Sequence, residues 1–131
     1  MAQTIYSDTV SNPGMMAGAT ITKHSLLKLD ASNNYPYVIP TAGTADVPIY
    51  IALADAVTGE IVQVAKLEGI TTLRASTAIS EDALVSPAAA DGEIITATTG
   101  YRVIGKALEA ALAADDEIRC AVGSGFGYLS A

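Results

Sequence analysis

The sequence predicts a mainly β fold: a small β-barrel or β-sandwich made of two similar four-stranded halves, with an extended N-terminal arm and at most one short helix. Three observations lead there. Short β-branched runs alternate with turn signals from Leu26 onward. A weak internal repeat relates the two halves. The apolar half of the composition is aliphatic, with 24 Ala, 12 Ile, 10 Leu and 9 Val against no Trp and one Phe.

Residues 1–25, MAQTIYSDTVSNPGMMAGATITKHS, read as the arm. They are small and polar, carry the turn signal Asn12-Pro13-Gly14 and hold no sustained apolar period. The β-domain spans 26–122. Ser25-Leu26-Leu27-Lys28-Leu29 is the first strand of the first half (about 26–67). Tyr35-Pro36-Tyr37-Val38-Ile39-Pro40 is the second, and its two prolines predict an edge strand. Val47–Ala54 is a β-branched run. Thr58-Gly59 then turns the chain into Glu60–Leu67, where Val62 and Val64 alternate with Gln63 as in a half-buried strand.

After a short strand at Ile70–Arg74, the second half (about 83–122) repeats the order. Ala83-Leu84-Val85 pairs with Glu93–Thr98 across Asp91-Gly92, a strong hairpin signal. Val103–Glu109 has a helix-favouring composition. Its position in the repeat, opposite Ile49–Ala54, makes it a strand instead, with one helical turn at Ala110–Ala114 absorbing about four extra residues; a helix over 105–114 is the competing reading. Ile118, Cys120 and Val122 alternate with Arg119 and Ala121 in the last strand. Residues 123–131 read as a flexible tail with one aromatic anchor, Phe126.

Composition narrows the function. The chain has 131 residues, enough for one domain. Phe, Ile, Leu and Val make 32 of them, about 24%, which argues against disorder. No run reaches the length of a membrane-spanning helix, and no secretory signal is expected. The net charge of −7 disfavours direct contact with nucleic acid. Charged residues are 16%, below the usual roughly 25%, while mean hydropathy is +0.37. A charge-poor, apolar chain of this size is expected to bury surface against copies of itself or a larger partner.

Motifs that carry chemistry are sparse. His24 is the sole histidine and has no second imidazole for a metal site; it reads as a polar residue at the junction of arm and domain. Cys120, on the apolar side of a strand, reads as a small hydrophobe. Asp115-Asp116-Glu117 and Glu81-Asp82 lack calcium-loop spacing and read as solvated turn charges. Gly123-Ser124-Gly125-Phe126-Gly127 is neither a nucleophile elbow nor a phosphate loop. No catalytic residue, cofactor or metal is expected, and the chain is not expected to be an enzyme. The adjacent Met15 and Met16 suit an adaptable contact. With Tyr6, Pro13 and His24 they are the candidates for contact with a partner or sister subunit. Folding back onto their own barrel is the alternative for the Met pair.

One phrase in the second half has a wider likeness. Val103-Ile104-Gly105-Lys106-Ala107-Leu108-Glu109-Ala110-Ala111, an acidic turn, and then Glu117-Ile118-Arg119-Cys120-Ala121-Val122 resemble the end of tailed-phage capsid decoration, or cement, proteins. Ile49-Tyr50-Ile51-Ala52-Leu53-Ala54 and Gly59-Glu60-Ile61-Val62-Gln63-Val64 fit the first half of that family, so the resemblance spans about Ser25 to Val122. One departure is the turn before the final strand, Ala114-Asp115-Asp116, where the family often has a glycine. The resemblance implies a structural protein of the virion, made in the host cytoplasm and bound as a homotrimer to the outer surface of an expanded head. Its partners would be the major capsid protein and itself, with no membrane; it would bridge neighbouring capsid subunits against internal DNA pressure. The alternative is a phage fibre or adhesin-type β-domain that binds a host surface or glycan.

Overall fold

A computed structural model describes residues 14–32, 36–123 and 125–129. It has ten strands: β1 (Gly14–Ala17), β2 (Leu26–Leu29), β3 (Tyr37–Pro40), β4 (Tyr50–Ala52), β5 (Ile61–Lys66), β6 (Gly69–Arg74), β7 (Leu84–Pro87), β8 (Ile94–Thr96), β9 (Gly105–Ala107) and β10 (Glu117–Val122). The first five close into a barrel in the order β1-β3-β2-β4-β5. The last five form a sheet in the order β6-β10-β9-β7-β8, the same cyclic order, and its outer strands meet at a parallel bridge between Ala75 and Ile94.

The duplication extends to individual bonds. Gly18 N–H donates to Val38 O in the first half, and Ser76 N–H to Ile94 O in the second, both at 2.8 Å. Ile21 and Ala56 form an antiparallel bridge, as do Ile79 and Ala111. Each half therefore has five strands rather than four. The added strands are β1, inside the expected arm, and β6. Gly-Met-Met-Ala is too short and too small to show a strand period, but it pairs on both sides: parallel to β3 and antiparallel to β5. Residues 14–25 thus belong to the first barrel, and residues 1–13 lie outside the described residues.

Four further expectations are corrected. Strand β3 is not an edge, because the barrel closes over it. Pro36 precedes it, with its carbonyl accepting from Met16 N–H, and Pro40 ends it beyond the last β1 partner, so neither proline is asked for a ladder donor. The helical turn expected at Ala110–Ala114 is absent and no helix occurs among the described residues, whereas the strand expected over Val103–Glu109 is present as β9, where pairing with β7 and β10 outweighs the helix-favouring composition. The connection to the last strand is longer in the second half by one residue, not four: 53–60 against 108–116. Residues 125–129 are not a free tail, since Val103 N–H donates to Tyr128 O at 2.7 Å and Arg102 bridges to Leu129.

The glycine-less turn keeps the geometry of its counterpart in the first half. Gly59 has φ +91° and donates to Ala17 O; Asp115, its counterpart, has φ +70° and donates to Ala75 O. Aspartate is among the few L-residues that tolerate this region.

Two apolar clusters fill the molecule. Met15, Leu27, Val38, Val62 and Val64 pack inside the first barrel. Leu73, Val85, Ile94, Ile118 and Cys120 pack in the second, together with Leu26 and Ile51 from the first. Leu26 and Ile51 are cross-strand partners, and each is adjacent to a residue facing its own barrel (Leu27, Ala52). The period of two sends this pair outward, into the neighbouring half. The β7–β8 turn locks the same seam. Gly92 N–H donates to Thr41 O and its carbonyl accepts from Leu26 N–H at 2.8 Å. Gly92 has φ +68°, and a Cβ there would lie 2.7 Å from Ser25 Cβ and 2.8 Å from Leu26 O.

Gly92→Ala should therefore lower stability by about 2–3 kcal/mol through left-handed strain and overpacking, read as a shifted urea midpoint; an unchanged midpoint would show that the turn can move away from the seam. Met15→Ala should cost about 2–4 kcal/mol from the cavity it opens.

Candidate functional site

The expected contact residues separate once placed. Tyr6 and Pro13 lie outside the described residues. Met15 is 1% exposed inside the first barrel, so it is a core residue and not a contact. Met16 points the other way from the same strand. It is half-buried on the outer face, in register with Ile61 on β5 and Tyr37 on β3. The alternation of a strand thus gives the two methionines opposite duties. His24 sits at the seam with φ +70°, its Nδ1 3.0 Å from Glu117 Oε2 of the other half.

Polar groups at the seam bond both within each half and across to the other. Arg74 places Nη1 3.0 Å from Glu93 and Nη2 3.0 Å from Ser25 Oγ and from Asp91 O. Burial, with help from the neighbouring Asp115 and Asp91 carboxylates, keeps Glu93 above the ordinary carboxylate range despite Arg74. On the other side, Asp46 is held below that range. Burial opposes its ionisation, but Lys28 Nζ at 2.9 Å and the N–H groups of Ala42 and Gly43 outweigh it. Arg102 ties the 41–46 loop down, donating from Nε to Ala45 O and from Nη1 to Gly127 O. A groove of about 450 Å³ runs along this seam, lined in part by Val47, Ile49, Leu67, Ile104, Lys66 and Arg102.

Among the described residues no group of three or more His, Cys, Asp or Glu could hold a metal ion. The arrangement instead presents surface. Large aliphatic side chains stand in solvent: Ile61, Ile70, Val47, Val57 and Leu112 are each more than half exposed. Sequence reasoning passed over these positions. Ile61 was visible as the out-of-phase residue before Val62 and Val64. Leu112 was hidden in an alanine run whose phase depended on whether 105–114 was strand or helix.

A closed five-strand barrel and a second five-strand sheet of the same order define a duplicated β-protein with large aliphatic side chains exposed on its surface. A family model for phage cement protein matches residues 14–122, so the chain belongs to the phage cement protein family. A search of curated proteins gave no match. Among solved structures the fold is similar to the head fiber gp8.5 N base of bacteriophage phi29, with a TM-score of 0.70, 16% identity, and coverage of 86% of this chain and 92% of that chain. The matched span begins at Gly14, the first residue of β1, and ends at Val122, the last residue of β10. It therefore takes in both halves as one unit.

Cys120 lies at the centre of the second half, fully buried, and burial pushes its thiol up to about 12, with a smaller contribution from Glu109. A thiol kept protonated by the fold contributes its full stabilisation below 9.0, its ordinary value, and loses it as pH rises toward 12. Native protein at pH 8 should resist a thiol reagent and react only on unfolding; prompt labelling of the native chain would contradict this packing.

Proposed function

We propose that this protein decorates the outer surface of an expanded phage head, binding as a homotrimer and bridging neighbouring major capsid proteins so that the shell resists the pressure of packed DNA. The observation that carries the reading is the family match over both halves together. The surface chemistry supports it. A net charge of −7 keeps the free protein soluble, while few charges overall leave aliphatic surface available for contact. Buried against a shell, an exposed Ile or Leu contributes about 1.5–3 kcal/mol when fully covered. Three linked subunits would then bind far more tightly than one. Expansion would create the site by bringing patches on separate capsid proteins into register.

The likeness to a head fibre base favours one second reading, a fibre-type module. On that reading the barrels are a base from which a host-binding part is carried.

Residues 1–13, with Tyr6 and Pro13 among them, are the remaining candidates for the expected contact arm. Such an arm adds contact area at an entropic cost.

Cosedimentation with expanded heads and with procapsids of the same phage should show binding to expanded heads alone; equal binding to both, or to neither, would refute the mechanism. Analytical ultracentrifugation of free and head-released protein should find trimers. Deleting residues 2–13 should leave the melting transition in place and weaken head binding; a truncated chain that binds as well as the full one would exclude the arm from docking.

A further inference from the structure

The two halves differ at most solvent-facing positions. Ile61 on β5 has Glu117 as its counterpart on β10, Gln63 has Arg119, and Lys28 has the buried Ser86. One surface element breaks this pattern. The loop after β4 reads Leu53-Ala54-Asp55-Ala56-Val57, and the loop after β9 reads Leu108-Glu109-Ala110-Ala111-Leu112. In both, an apolar residue four positions from the first is also in solvent. Leu53 and Leu108 are 38% and 39% exposed, and Val57 and Leu112 are 55% and 85% exposed.

The loops are built alike. Leu53 N–H donates to Gln63 O and Leu108 N–H to Arg119 O, both at 2.9 Å. The central Ala56 and Ala111 are buried and bridged to Ile21 and Ile79. A carboxylate caps each end: Glu60 accepts from Val57 N–H at 2.9 Å, and Asp116 from Leu112 N–H at 2.8 Å. The fold explains the buried alanines and the capping carboxylates. It covers Leu53 and Leu108 only in part and leaves Val57 and Leu112 mostly exposed, so apolar surface stands out in both copies.

We propose that these two loops are duplicate docking elements, through which one chain grips two equivalent patches on shell subunits, each patch apolar and rimmed by basic side chains. Charge complementarity sets the rim: segment 53–60 contains Asp55 and Glu60, segment 108–116 contains Glu109, Asp115 and Asp116, and neither contains Lys or Arg. Glu109 pairs with Arg119 and Asp115 lies 3.7 Å from Arg74, which leaves Asp55, Glu60 and Asp116 without an ion pair among the described residues. A shallow hollow of about 260 Å³ beside Val57, lined by Thr20, Thr22 and Asp55, gives the first loop room for an incoming side chain. A repeated element suits a partner that is itself repeated, and a shell is made of many copies of one surface. The inference rests on the capsid-binding reading above and names the surface that performs it.

The test uses full-length protein and heads of the same phage prepared without it. Leu53→Ser/Val57→Ser alters one loop, Leu108→Ser/Leu112→Ser the other, and a fourfold variant both. All four side chains are exposed, so melting curves should stay near that of the parent chain. Each loop variant should weaken cosedimentation on the order of tenfold, and the fourfold variant by a hundredfold or more. Binding of the parent chain should also fall as salt is raised from about 0.05 to 0.5 M, as an acidic rim on a basic patch requires. A fourfold variant that binds within twofold of the parent overturns the assignment. So does a loss confined to one loop, binding indifferent to salt, or a fourfold variant whose oligomer falls apart in solution, which would make the occupant a second copy of this chain. A parent chain that binds no heads removes the capsid reading itself, and the assignment with it.

Discussion

The outward-facing pair Leu26 and Ile51 is the contact on which the rest of the molecule depends. Both sit on strands of the first barrel, yet both are counted among the core of the second, at 0% and 1% exposure. Burying a Leu and an Ile contributes about 1.5–3 kcal/mol each, and here that gain is available only when the two halves meet. A half of some fifty residues has little core of its own. Sharing a core across the seam makes one cooperative unit of two small sheets. The Gly92 turn, the Arg74 hub and the His24–Glu117 contact all lie beside that pair and fix its orientation.

What could be read in advance was whatever depends on local alternation. Val62/Gln63/Val64 and Ile118/Arg119/Cys120 declare their faces in the sequence, and both strands fall where the pattern puts them. Asp91-Gly92 declares its turn. The short strands gave no such signal. Gly14–Ala17 is four residues of small or flexible character, and only its position between β3 and β5 makes it a strand. A signal this weak makes the arm look longer in the sequence than it is, and gives Met15, an interior residue, the same appearance as Met16. Likewise Gly105–Ala107 has two strand neighbours that outweigh the helix preference of the alanine-rich segment around it. The contact surface was the least legible part, because an exposed aliphatic in an alanine-rich turn has no sequence mark until the phase of the neighbouring strand is known.

Barrel closure also answers a problem posed by the composition. A chain that is half apolar and only 16% charged would be prone to edge-to-edge association if it exposed free strand edges. The first five strands close completely, and the second five are joined at Ala75–Ile94. Most strand edges are thereby paired, and backbone bonds such as Gly92 N–H to Thr41 O also join the halves, so association falls largely to side chains. Side-chain contact can be specific in a way that a bare edge is not, because each aliphatic group must find a shaped, water-free recess.

The charge distribution follows from the same division. Most cations are committed inside the molecule: Lys28 to Asp46, Arg74 to Glu93, Arg119 to Glu109, and Arg102 to backbone carbonyls. The β4–β5 and β9–β10 loops hold carboxylates but no Lys or Arg, beside the very side chains that stand apolar in solvent. Such a surface repels its own copies through like charge while offering a neutral or basic recess both a Coulombic and a hydrophobic reason to close over it. Part of the chain's acidic excess of seven charges thus stands beside the apolar side chains of both loops, where it opposes their aggregation in the free protein.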